Sequence, residues 1–217
     1  MILLPRLYAI VDSSAHASTQ DLVAYVAELA AGGCRLLQYR NKSGNAQVML
    51  EHARELRSLC RTEPALSLPK GVSDPQVRLI MNDRADLCLA AEFDGVHVGQ
   101  EDLSPESVRG IIGVERWLGV STHNAEQVRE ASLTSAEYLA IGPVFATSSK
   151  DKADPVVGLE GVRLARALTR KPLVAIGGIT RANAASVIEA GADAVAVISD
   201  LLREPRKSAE EFFRVLR

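Results

Sequence analysis

Aromatic residues are scarce, at 4% of a 217-residue chain. A core built without them has to be aliphatic. Hydrophobic residues at 47%, mostly Val, Ile, Leu and Ala, supply the kind of core that suits buried parallel strands covered by helices. Cysteine is nearly absent. Cys34, Cys60 and Cys88 show no CxxC or Cys/His spacing, so they read as reduced thiols rather than a metal or redox set. There is no excess of basic charge either. A net charge of -2 argues against a general nucleic-acid binder, though it allows local cations around a phosphate pocket. No apolar run approaches the roughly 20 residues that span a bilayer. The segment from Met1 to Asp12 is too short and too soon acidic for a secretory signal. No linker or low-complexity tract divides the chain. The expectation is a soluble, cytoplasmic protein with one domain over residues 1–217 and no membrane or nucleic-acid partner; a homo-oligomer is compatible with it.

What is present is alternation. Short apolar runs at Leu7–Val11, Arg35–Tyr39, Arg78–Met81, Gly95–Val98, Trp117–Val120, Tyr138–Ile141, Leu173–Ile176 and Ala194–Val197 are bounded by Gly, Asp or Pro, as buried parallel strands should be. Helical patterns lie between them. Leu22, Val26, Leu29 and Ala30 make one apolar stripe, and Ser104-Pro105 reads as an N-cap followed by Pro at the first helical position. Gly32–Leu37, Phe93–Val96, Ala136–Leu139 and Gly191–Val195 all look like a helix end turning into a strand. Eight strand–helix units predict an α/β fold, a single closed (β/α)8 barrel, with Thr62–Gln76 as a long loop on the face opposite the site.

Such a barrel places its chemistry just after each strand, and polar residues stand there. After the second strand come Gln38, Tyr39, Arg40, Asn41 and Lys42, whose cations can grip a diphosphate or simply form a solvated basic loop. Asn82-Asp83 and Gly99-Gln100-Glu101-Asp102 follow the third and fourth strands. Asp83 and Asp102 can share Mg2+, with the remaining ligands from substrate and water; helix capping is the alternative for each. Ser121-Thr122-His123 follows the fifth strand, and His123 can be an acid/base or a packing residue. Thr147, Ser148, Ser149 and Lys150 follow the sixth, in a stretch suited to ordering a phosphate or to a plain surface loop. Gly177-Gly178 and Ile198-Ser199 follow the last two, where barrels often bind phosphate. No Ser/His/Asp or Cys/His set is evident, so no protein nucleophile is expected.

Taken in order, Gln38 to Lys42, Asn82-Asp83, Gly95 to Asp102 (GVHVGQED), Gly119 to Ser121, Gly142-Pro143, Thr147 to Lys150 and Gly177 to Ile179 closely resemble the thiamine-phosphate synthase family over nearly the whole chain. The resemblance implies transfer of a hydroxymethylpyrimidine from its diphosphate to a hydroxyethylthiazole phosphate. It implies that Gln38, Arg40, Lys42, Asn82 and Lys150 hold the pyrimidine diphosphate, Asp83 and Asp102 hold Mg2+, and Ser121 orients the pyrimidine. Thr147, Ser149, Gly178, Ile198 and Ser199 would hold the thiazole phosphate. Ala146 stands where the family usually has Pro, Ser149 where it usually has Thr, and Thr62–Gln76 looks longer than the usual link.

Two other readings compete. A thiazole tautomerase of related fold needs an acid/base such as His123 but no carboxylate pair, because it has no diphosphate to neutralise. A non-catalytic phosphate-ligand sensor leaves the complete set of cations and carboxylates unexplained.

Overall fold

Side chains on a strand alternate between its two faces, so eight buried parallel strands can close only if both faces are apolar. The computed structural model describes residues 2–62, 76–147 and 154–217, and it meets that condition with two separate cores. The strands are β1 (Leu7–Asp12), β2 (Leu36–Arg40), β3 (Arg78–Asn82), β4 (Gly95–Val98), β5 (Trp117–Thr122), β6 (Tyr138–Ile141), β7 (Leu173–Ile176) and β8 (Ala194–Val197). All neighbours pair in parallel, and β8 returns to β1 to close the barrel. The helices between and after them are α1 (Thr19–Ala31), α2 (Ala46–Thr62), α3 (Ala85–Ala90), α4 (Pro105–Ile112), α5 (Ala125–Ser132), α6 (Gly158–Leu168), α7 (Ala184–Glu189) and α8 (Pro205–Val215).

The predicted (β/α)8 barrel is therefore what forms. Four strands reach further than their apolar runs: β1 to Asp12, β2 to Arg40, β3 to Asn82 and β5 to Thr122. Backbone pairing carries these polar ends into the rigid wall, because the register continues through Asp12–Arg40, Asn82–His97 and Thr122–Ile141. The larger core lies between barrel and helices, and there Leu22, Val26 and Leu29 of α1 have no exposed surface. Burying each contributes about 1.5–3 kcal/mol. Tyr25, rather than Ala30, completes the buried stripe. The smaller core fills the barrel with Tyr8, Ile10, Leu36, Ile80, Tyr138, Val174 and small alanines.

Caps fix where helices begin. Ser18, Ser104 and Asn124 accept hydrogen bonds from the backbone N–H of Asp21, Ser107 and Gln127, satisfying amides that have no partner within the helix. The recurring helix-to-strand turns share a device as well. Asp94, Glu137 and Asp193 each accept from the N–H of Leu79, Leu118 and Leu173 on the preceding strand, and each pairs with an arginine, Arg57, Arg109 and Arg166. The turn before β2 carries Arg35 in that place. A unit of two strands and two helices is thus repeated through the chain. The expected 62–76 loop lies mostly outside the described residues.

Candidate active site at the barrel mouth

The C-terminal ends of the strands surround a pocket that opens into a broader polar mouth. Tyr8, Ile10, Ala140, Val174 and Ile176 form its apolar floor. Gln38, Arg40, Asn82, His97 and Ser121 stand above that floor, with Thr147, Gly178, Ile198 and Ser199 on the opposite side. Lys42, Asp83, Gln100, Glu101 and Asp102 line the mouth beyond. The alternation of β2 decides which members of its basic stretch arrive. Gln38 and Arg40 face in. Tyr39 and Asn41, expected among the binding residues, face out: the Tyr39 hydroxyl lies 2.9 Å from His52 Nδ1 on α2, and Asn41 Nδ2 donates to that same hydroxyl at 2.9 Å. The correction follows from the period of two, since adjacent strand residues cannot share a face. Ser148, Ser149 and Lys150 lie outside the described residues.

Arg40 and Lys42, cations among the described residues at the mouth, each have a carboxylate partner. Arg40 bonds Asp12, a residue the sequence did not single out. Burial alone would push the Asp12 carboxyl up; the two hydrogen bonds from Ser14 and the Arg40 guanidinium outweigh it and hold the group below the usual carboxylate range. Lys42 Nζ lies 2.5 Å from Asp83 Oδ2. The lysine side chain is 56% exposed, so this ion pair contributes little stability and is readily exchanged for a ligand.

Neither acidic candidate caps a helix. Ser104 caps α4, and Asp102 accepts from Gly99 N at 2.7 Å. No side-chain oxygen caps α3, and Asp83 stands before it at φ 62°, in the left-handed region rarely used by residues other than Gly, Asn and Asp. Its N–H donates to the His97 carbonyl, tying the strained residue to β4. Desolvation, and then the neighbouring Asp83 carboxylate, push the Asp102 carboxyl above its usual range. Two carboxylates this close repel one another, and the Lys42 ammonium offsets part of that repulsion. Among the described residues no group of three or more His, Cys, Asp and Glu side chains is assembled for a metal. A pair of carboxylates does not suit zinc, but it fits Mg2+, which takes few protein ligands and keeps several from substrate and water.

Loops seven and eight are locked to one another. Arg181 donates from its backbone and side chain to Asp200 at 2.9 and 3.0 Å and also bonds Glu211, while Asn183 Nδ2 donates to the Gly178 carbonyl. Gly177 and Gly178 both have positive φ, at 101° and 62°. The space their missing Cβ atoms leave is filled by the sixth loop: added Cβ atoms would meet Pro143 Cα at 2.6 Å and the Ala146 carbonyl at 2.5 Å. The glycine pair is thus required by one loop crossing another, rather than by ligand approach alone.

Beneath the pocket runs a buried polar chain that joins Gln38 to Ser121 through Tyr8, Tyr138 and His97, and sequence reasoning did not single out these three inner links. Gln38 Nε2 donates to Tyr8 Oη at 2.8 Å, and Tyr8 Oη is 2.9 Å from Tyr138 Oη. His97 Nδ1 lies 3.1 Å from Tyr138 Oη, and His97 Nε2 lies 2.8 Å from Ser121 Oγ. The available signal was polar residues at inward positions of otherwise apolar strands. Gly119 makes room for this chain, because a Cβ there would fall on the Tyr138 ring and on His97 Nδ1. Gly119→Ala should destabilise the fold by about 1–3 kcal/mol through overpacking. Gly110→Ala in α4, where nothing lies within 4 Å of the added Cβ, should stabilise it by about 0.5–1 kcal/mol. Urea denaturation of both variants measures the contrast.

Fold and site together define a (β/α)8-barrel enzyme. The family described as thiamine monophosphate synthase matches residues 7–201. A thiamine-phosphate synthase of Koribacter versatilis is 56% identical over 216 residues, 98% of this chain and 96% of its own. One from Chloroflexus aurantiacus is 41% identical over 194 residues, 89% of this chain and 83% of its own. Among solved structures, thiamine phosphate pyrophosphorylase from Pyrococcus furiosus superimposes with a TM-score of 0.82 at 32% identity, covering 97% of this chain and 95% of the other. The chain belongs to the thiamine monophosphate synthase family and is a transferase of thiamine biosynthesis. Among the described residues no helix is long and apolar enough to cross a membrane.

Proposed function

We propose that the barrel mouth binds 4-amino-2-methyl-5-hydroxymethylpyrimidine diphosphate beside a hydroxyethylthiazole phosphate and joins them into thiamine phosphate, releasing diphosphate. The observation that carries this reading is the Asp83–Asp102 pair, two adjacent carboxylates that cap no helix and stand beside the cations of the second loop. Arg40, Lys42 and Asn82, with Lys150, grip the diphosphate. Gln38 and Ser121 hold the pyrimidine. Thr147, Ser149, Gly178, Ile198 and Ser199 receive the thiazole phosphate, and Ser148 belongs to the same loop. Asp83 and Asp102 hold Mg2+, which when bound neutralises charge on the departing diphosphate oxygens.

The reaction breaks the methylene C–O bond, and its electron pair leaves with diphosphate. The thiazole nitrogen supplies the pair for the new C–N bond. No proton has to be removed to form it, so no protein nucleophile or general base is required. Arg40 and Lys42 trade their carboxylate partners for diphosphate oxygens as the negative charge grows. The apolar floor of Ile10, Ala140, Val174 and Ile176 keeps water from a cation-like methylene. The reading includes one catalytic domain over residues 1–217, a cytoplasmic location and small molecules as the partners. Incubation of the purified protein with both substrates, with and without Mg2+, tests it; no thiamine phosphate under either condition overturns it.

One observation favours a second reading, a thiazole tautomerase. His123 Nδ1 lies 2.6 Å from the Gly142 carbonyl, to which it donates, and 3.6 Å from Asp154 Oδ2, so the ring's other nitrogen, Nε2, is the one that could exchange a proton at the pocket wall. In a synthase His123 only braces the sixth loop. His123→Ala should then keep thiamine phosphate formation within about tenfold, less than the roughly 10²–10⁴ lost with a general acid or base. Steady-state rates on both reactions decide: an inactive His123→Ala beside an active Asp83→Ala selects the tautomerase.

A further inference from the structure

We propose that Tyr8, Tyr138 and His97 are positioning residues whose hydrogen-bond chain fixes Ser121 as a donor and Gln38 as an acceptor toward the pocket, so that the site selects an amino-substituted heteroaromatic ring over its oxo form. The inference rests on the pyrimidine reading above and adds to it the source of ring specificity.

Each link has one proton to give. Gln38 supplies an amide hydrogen to Tyr8 Oη at 2.8 Å. The Tyr8 and Tyr138 hydroxyls lie 2.9 Å apart, with either able to donate, and Tyr138 Oη lies 3.1 Å from His97 Nδ1; in the proposed order Tyr8 donates to Tyr138 and Tyr138 to His97. In that order a His97 ring with one proton carries it on Nε2 and donates to Ser121 Oγ, 2.8 Å away. The Ser121 hydroxyl proton has no place left in the chain and turns to the pocket. Gln38, having spent an N–H on Tyr8, offers Oε1. The reverse order makes Ser121 an acceptor; it requires either that Gln38 turn Oε1 to Tyr8, or that Tyr8 accept from both Gln38 and Tyr138 and send its own proton to the pocket. Burial favours one fixed order, since Tyr8 and Tyr138 are 1% and 0% exposed and are held as neutral phenols.

Gly119 is the independent observation. A glycine in the middle of a buried strand weakens it, yet the space left by its missing Cβ is what the Tyr138–His97 contact occupies. The donor and acceptor offered to the pocket match a ring nitrogen and an amino group. An oxo form reverses that pattern, with a carbonyl oxygen and a ring N–H, and meets like groups at both positions. Sites built this way reject the mismatched ligand strongly, because buried polar groups are left unpaired.

Titration calorimetry with 2-methyl-5-hydroxymethylpyrimidine monophosphate in its 4-amino and 4-oxo forms tests the chain without turnover. The protein should prefer the amino form by about 100-fold or more. Tyr138→Phe removes the central link, lets His97 adopt either tautomer, and should reduce that ratio about tenfold or more. Thiazole phosphate affinity should stay within about twofold, which a general loosening of the barrel would not preserve. Tyr8→Phe cuts the chain from Gln38 and should lower the ratio in the same way, so it replaces Tyr138→Phe as the test should that variant not fold. An unchanged amino-to-oxo ratio in either folded variant overturns the inference. A protein that binds neither pyrimidine overturns the functional reading beneath it.

Discussion

Asp83→Ala should lower thiamine phosphate turnover by about 10²–10³-fold, the cost of removing one preorganised charge-stabilising group from an active site. The residue stands at φ 62° in the left-handed region, so alanine there is strained. Its side chain is only 19% exposed, and it pairs with the exposed Lys42 rather than with a group of the core. The protein should therefore stay folded, which circular dichroism can establish. Chelation with EDTA should abolish turnover in the unsubstituted protein, and excess Mg2+ should restore it. The raised Asp102 pKa gives a pH signature. A carboxyl held above its ordinary value keeps its proton at a pH where other carboxylates are already ionised, and metal can bind only once that proton leaves. Mg2+ affinity should thus begin to fall, as pH is lowered, before the ordinary carboxylate range is reached. Asp102→Asn should flatten that dependence while weakening the metal. Turnover that survives EDTA unchanged would sink the metal assignment.

Arg40→Ala should weaken use of the pyrimidine diphosphate by roughly 10- to 150-fold, equivalent to about 1.5–3 kcal/mol for a lost charge-assisted bond. Thiazole phosphate binding should be spared, because Arg40 stands on β2 while the thiazole phosphate is assigned to the sixth, seventh and eighth loops. The same substitution leaves Asp12 without its guanidinium partner. Two Ser14 hydrogen bonds remain to hold that carboxylate, so the site keeps its shape. Arg40→Lys should recover only part of the loss, since an ammonium cannot reproduce the planar fork of Arg. Calorimetric titration with each substrate separately provides the check. Loss of thiazole phosphate affinity with retained pyrimidine diphosphate affinity would mean that the two pockets have been exchanged.

The amino-acid sequence by itself determined the barrel. Eight apolar runs, their turn residues and the amphipathic stretches between them are local patterns, and period two against period 3.6 is visible without tertiary information. It also determined that polar residues gather after the strands, because a parallel barrel has only one end where its loops converge on chemistry. Which of those residues face the ligand was decided by tertiary structure. Gln38 and Arg40 enter the barrel while Tyr39 and Asn41 turn to α2, since a strand register shifts whole sets of side chains from one face to the other. The pairing of Arg40 with Asp12 joins residues 28 positions apart, and the chain from Gln38 to Ser121 crosses five strands. Contacts at such separations leave no periodic trace in a single sequence. The glycine pair at 177 and 178 was legible as a site feature, but its cause was not, because the crossing sixth loop appears only when the barrel has closed. Local order was written in the sequence because it depends on neighbours along the chain; the polarity of the site depends on neighbours in space, and only closure of the barrel supplies them.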